Sequence, residues 1–176
     1  MVDSRVTIIG LLCLLAFATA QESAKPEVPD KIKTPAGEEL ALMAHATGFQ
    51  IYSCQLGTDG QPAWILKAPE AELRDTTDRV IARHYAGPAW KHIDGSEVTG
   101  KVLAKVDSPD ADAIPWLLLT ATNHSGTGIL ARVSTIQRIH TKGGQPPAAP
   151  RCTSSNLDAT SKSSYVADYY FYTPPK

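Results

Sequence analysis

Hydrophobic and polar residues alternate along most of the chain from residue 37 onward, in short runs that turn residues interrupt. Leu40, Leu42, Ala44 and Ala46 share one face of the first run. Gly48 breaks it, and residues 49–56 follow with Phe49 and Ile51 on one face and Tyr52, Cys54 and Leu56 on the other. The turn Thr58-Asp59-Gly60 leads to residues 63–68, where Trp64 and Leu66 share a side. A period of two marks a strand with one buried face, so these runs predict a meander.

Residues 71–75 fit a strand or a turn, and residues 80–85 and 89–92 predict strands on either side of Gly87-Pro88. Beyond Asp94-Gly95, Val98, Val102, Ala104 and Val106 alternate with Thr99, Lys101, Leu103 and Lys105, which predicts a half-buried strand. Residues 114–122 (IPWLLLTAT) are the most apolar stretch of this region. They predict a central strand covered on both faces, with Pro115 at its start.

Gly126 and Gly128 mark a turn. Ile129, Ala131, Val133, Thr135 and Ile139 then alternate in the expected hairpin partner. Residues 141–151 form an irregular loop. Residues 165–172 are an aromatic strand with Tyr165, Tyr169 and Phe171 on one face and Tyr170 and Tyr172 on the other. No helix-period stretch and no internal repeat is visible. The expected fold is all-β, an antiparallel sandwich or barrel of about eight to ten short strands.

The first 36 residues follow other rules. Arg5, the apolar run over 6–17 and Ala18-Thr19-Ala20 read as a signal peptide over 1–20, cleaved before Gln21. The uncharged stretch is short for a bilayer span, so no membrane span is expected after cleavage. Residues 21–36 are polar and contain proline, which predicts an extended arm or linker before a single domain over 37–176. Processing removes Cys13, and export makes a disulfide between Cys54 and Cys152 the default for the two that remain. The expected location is extracellular, or periplasmic in a bacterium. With 17 basic and 18 acidic residues, the chain offers no general nucleic-acid partner.

Candidate chemistry is sparse. The densest polar and aromatic segment runs from Arg83 to Trp90, followed by His92, Asp94 and Ser96. As a ligand site it would use His84, Tyr85, Trp90 and Asp94, with Trp116. As a rigid corner it would turn at Gly87-Pro88, bury Trp90 and cap the next turn with Asp94. His45, His84, His92, His124 and His140 are scattered and match no compact metal signature, so no cofactor is expected. An alternative site would bind metal through His84, His92 and Asp94.

Ser96 and Ser125 sit in no nucleophile elbow, and Glu70, Glu72 and Asp75 read as a solvated rim. The aromatic strand could offer a carbohydrate platform or fill the core. Asn123-His124-Ser125 is a glycosylation acceptor at an expected hairpin tip, relevant in a eukaryotic host.

Seven segments then carry a resemblance: GFQIYSC (48–54), WILKAPEAEL (64–73), RHYAGPAW (83–90), DGSEVTGKV (94–102), IPWLLLTA (114–121), STIQRIHTKGG (134–144) and ADYYFY (167–172). Over residues 37–172 the chain resembles the secreted family catalogued as domain of unknown function 3455. The resemblance implies export and a shared fold, and no reaction. His140 stands where that family more often has asparagine. Some members are labelled malate dehydrogenase, but this chain has no glycine-rich dinucleotide fingerprint. The function expected is a small-ligand-binding module, possible ligands including a carbohydrate, or a structural module. The alternative is a small enzyme, a metal-dependent oxidoreductase or hydrolase, built on His84, His92 and Asp94.

Overall fold

The computed structural model describes residues 25–175; the expected signal peptide, with Cys13, lies outside the described residues. Eight antiparallel strands succeed one another around a closed barrel. They are β1 (Glu39–Leu56), β2 (Pro62–Arg74), β3 (Val80–Tyr85), β4 (Ala89–His92), β5 (Glu97–Val106), β6 (Trp116–Ser125), β7 (Thr135–Gly143) and β8 (Thr160–Thr173). Each pairs with the next, and β8 closes the ring on β1 through a ladder from Glu39–Thr173 to Ser53–Thr160. Closure leaves the sheet no edge strand, since every strand has a neighbour on both sides over at least part of its length.

The first two expected strands are one. Gly48 does not end β1, because β1 and β2 approach too closely there for any other residue. A Cβ at Gly48 would sit 2.1 Å from the Glu70 carbonyl oxygen and 2.5 Å from the Ala71 Cα. Glycine inside a strand marks such an approach. Residues 71–75 likewise continue β2 as far as Arg74.

Bulges decide which side chains enter the lumen. In β5 the register slips between Val102 and Ala104. One extra residue moves the remainder of the strand to the opposite parity. Val98 therefore packs in the barrel core, while Ala104 and Val106 pack outside. The hairpin partner of β6 begins at Thr135, because residues 129–132 form turns. Its lumen positions are Ile136 and Arg138.

The outer cluster explains why the first half of β6 and most of β7 are covered on both faces. Residues 25–38 lie across them, with a short 3-10 turn at Asp30–Ile32. Ile32 is fully buried against Leu118 and Ile139, with Val28, Trp116 and Tyr170 around it. Gln137 Nε2 donates to the Ile32 carbonyl at 2.7 Å, and Tyr172 Oη donates to Gln137 Oε1 at 2.7 Å. Ser134 and Thr135 hydroxyls donate to the Glu38 carboxylate.

Consecutive antiparallel pairing puts the β2–β3, β4–β5 and β6–β7 turns at one end. There Leu130, Val133, Ile136 and Phe171 plug the lumen. The β1–β2, β3–β4, β5–β6 and β7–β8 connections lie at the other end. There the Cys54–Cys152 disulfide ties β1 to the long β7–β8 loop, with 5.4 Å between Cα atoms.

Candidate functional site

The β3–β4 hairpin is too short to complete the barrel wall. It turns at Ala86-Gly87-Pro88, so β2 pairs with β3 only over residues 71–74 and β4 pairs with β5 only over residues 97–99. Residues 62–70 of β2 and 101–106 of β5 continue towards the disulfide end with no strand between them. The wall has a lateral notch there, with Leu66 and Val102 on its lips, 51% and 48% exposed. Behind it lies a cavity of about 350 Å³, reaching Gln50, His84, Trp90, Leu119, Arg138 and Tyr169.

The walls of this space carry polar atoms that the protein leaves unmatched. Gln50 Nε2, Trp90 Nε1, Arg138 Nε and the Tyr169 hydroxyl are buried there with no partner at good hydrogen-bond geometry among the described residues, and so is the Tyr165 hydroxyl beside them. The two hydroxyls, Gln50 and Arg138 nevertheless lie close enough to act on one another. An unmatched buried polar group costs about 1–3 kcal/mol. Water or a ligand in the cavity would supply the partners that these groups do not fully give one another.

Arg138 dominates the local field. Its residue is only 9% exposed, and Nη2 donates to the Pro115 carbonyl at 2.8 Å. No described carboxylate pairs with it. Burial pushes His84 down to about 3, although its contact with the Ala89 carbonyl acts the other way and Arg138 adds to the fall. The ring is therefore neutral at ordinary pH. Its Nδ1–H donates to Ala89 O at 2.8 Å, which makes Nε2 the acceptor. It stacks on Trp90 at 4.3 Å and 3°, with Tyr169 edge-on at 5.3 Å. Burial pushes the Tyr165 and Tyr169 hydroxyls up, and the Arg138 charge opposes this at both.

A wider hollow of about 740 Å³ also reaches His84 and Tyr165. It is an open groove in which Glu70 pairs with Lys162 at 2.7 Å and Glu72 with Arg83 at 3.3 Å, while the exposed Lys142 has no ion pair among the described residues. The notch cavity is the stronger candidate because its unpaired cation, Arg138, is buried, whereas Lys142 of the groove is exposed to water.

The family described as "Protein of unknown function (DUF3455)" matches residues 35–173. The chain belongs to the DUF3455 family. No curated protein and no solved structure matches it.

Of the residues expected to form a site, this DUF3455 barrel brings His84 and Trp90 together in the lumen. Tyr85 falls on the opposite parity of β3, partly exposed beside the outer groove. Asp94 is at the plug end, in the β4–β5 turn, where its carboxylate accepts from Ser96 N, Ser96 Oγ and Ile129 N. Burial raises its pKa, but these bonds prevail and hold the carboxyl well below the usual range. His92 Nδ1 lies 3.1 Å from Asp94 Oδ2, in the turn and away from His84, whose partners are Trp90 and Tyr169. Trp116 packs outside the barrel, beneath the N-terminal arm and edge-on to His140.

Among the described residues, no group of three or more His, Cys, Asp or Glu side chains is placed to hold a metal ion. Asn123 is exposed and lies within β6, opposite Thr99, because β6 runs to Ser125 before the turn begins. Outside the barrel, Asp168 accepts from His45 Nδ1 at 2.6 Å and from His140 Nδ1 at 2.8 Å. His140 has a φ of 50°. Histidine, like asparagine and aspartate, tolerates that conformation better than most residues.

Gln50, Arg138, Tyr165 and Tyr169 form the rest of the lumen site. Their signal was available as polar atoms on the apolar parity of a strand. Gln50 continues the series Ala44, Ala46 and Gly48. Arg138 was hidden because residues 129–139 alternate more visibly on the other parity, which the arm covers.

Proposed function

We propose that this DUF3455 protein is an exported, non-enzymatic binding module that holds a small molecule in the barrel lumen, reached through the notch between β2 and β5. The observation that carries this reading is the set of buried, unmatched polar atoms around a cavity of about 350 Å³ behind apolar lips. Such a cavity, mostly apolar with a few convergent polar groups, is the usual form of a small-ligand site. The Cys54–Cys152 bond and the leader-like sequence over 1–20 support export. Among the described residues no helix is long and apolar enough to cross a membrane.

The test uses N-phenyl-1-naphthylamine, an uncharged fluorescent probe. We expect saturable binding at one site, with energy transfer from tryptophan. Val102→Trp narrows the notch at a half-exposed lip position and should weaken binding about tenfold. Absence of saturable binding to the folded protein would overturn the reading.

A further inference from the structure

We propose that the ligand carries a single carboxylate, seated against the Arg138 guanidinium, on a compact apolar or aromatic body. This rests on the small-ligand reading above and names the chemical class of the ligand.

Three observations converge on it. The guanidinium is a permanent charge in a site with no counter-ion. Removing a charge from water without pairing costs several kcal/mol. A carboxylate is the planar partner whose two oxygens fit the guanidinium fork.

The unmatched atoms nearby also favour an acceptor. Trp90 Nε1 and Arg138 Nε can only donate, and Gln50 Nε2 is a donor as well. The lining contains no Asp or Glu that would repel an anion, and Lys67 at the rim adds a positive charge on the way in. Tyr169, whose hydroxyl can donate or accept, stands in the same cavity.

The charge count points to a monoanion. Only one buried cation faces the cavity, so a dianion would bury a charge without a partner. The lips and inner wall supply apolar surface from Leu66, Pro88, Val102, Leu117 and Leu119. A bare inorganic anion would leave that surface unused, whereas a phenyl or short alkyl body covers it.

The experiment compares 4-phenylbutyrate with 4-phenylbutyramide, which have the same body and differ in charge. Displacement of N-phenyl-1-naphthylamine gives both affinities. The carboxylate should bind at least about tenfold more tightly. Arg138→Gln should erase the preference of acid over amide. Because Arg138→Gln could also disturb folding, the wild-type Arg138 Nε–H resonance provides a second readout: it should shift with the carboxylate and not with the amide.

Equal affinity for acid and amide, with the probe still bound, overturns the carboxylate and leaves the binding module standing. A preference for 3-phenylpropyl phosphate over the carboxylate overturns the monoanion. If neither the probe nor either compound binds, both proposals fall.

Discussion

At the plug end, Leu130, Val133, Ile136 and Phe171 fill the lumen with side chains that have no polar atoms to satisfy. Towards the disulfide end the same barrel is lined by Gln50, His84, Arg138, Tyr165 and Tyr169, most of them with unmatched polar atoms. Both regions are buried, yet burial does opposite things in them. Apolar burial stabilises at about 25 cal/mol per Å². Burying donors without acceptors destabilises, and that end is reinforced covalently by Cys54–Cys152. Stability and binding capacity therefore occupy different halves of one lumen, a division expected where a site is kept at some cost to the fold.

This contrast can be broken by mutation. Phe171→Ala opens the plug and should cost about 3–5 kcal/mol in urea unfolding, with little effect on probe affinity. A loss under about 1 kcal/mol would mean the plug is not the main source of stability. Cys54→Ala with Cys152→Ala removes a cross-link spanning 98 residues of sequence. It should cost about 2–5 kcal/mol and loosen the open end first, seen as faster amide exchange in residues 144–159. Uniform acceleration at both ends would contradict the division.

Acid should act at the open end before the plug. The His84 pKa is held near 3 in the fold, against an ordinary value of 6.5. The unfolded chain therefore binds a proton that the folded chain refuses, and stability is lost as pH falls from about 6.5 towards 3. At pH 5 the loss is about 2 kcal/mol. Asp94 and Asp75 have lowered values, so the stability they contribute is lost only at lower pH, as their carboxylates protonate below about 4. His84→Phe should flatten the profile between pH 6.5 and 5, and an unchanged profile would remove His84 from this account.

The smallest test compares two tyrosines of β8. Tyr172 donates to Gln137, so Tyr172→Phe should cost about 1 kcal/mol. Tyr169 has no partner at good hydrogen-bond geometry, only looser contacts with Tyr165 and Arg138, so Tyr169→Phe should cost less than Tyr172→Phe, with weaker ligand binding. If both hydroxyls cost the same to remove, the open end is no less satisfied than the arm-covered face.

The all-β class was legible because a period of two is local information, and it also put Tyr165, Tyr169 and Phe171 of β8 on one face, the face that enters the core. The Cys54–Cys152 pair was legible from chemistry, since only two cysteines remain once residues 1–20 are set aside. Bulges were not legible: the slip between Val102 and Ala104 sends two residues of an unbroken alternation to the outer cluster. Nor was the separation of His84 from His92 and Asp94. Ten residues of sequence cross from the lumen to the plug-end turn.

The sequence by itself determined strand content, the turn chemistry around Asp94 and the covalent link, because each depends on neighbours in the chain or on residue type alone. Only the tertiary structure decided that the strands close into a barrel, that the arm covers β6 and β7, and that Arg138 meets Gln50 and Tyr169 behind a gap between β2 and β5. Those meetings join strands far apart in sequence, and they depend on hairpin length and bulge position, which set the geometry of closure and leave almost no mark on hydrophobic periodicity.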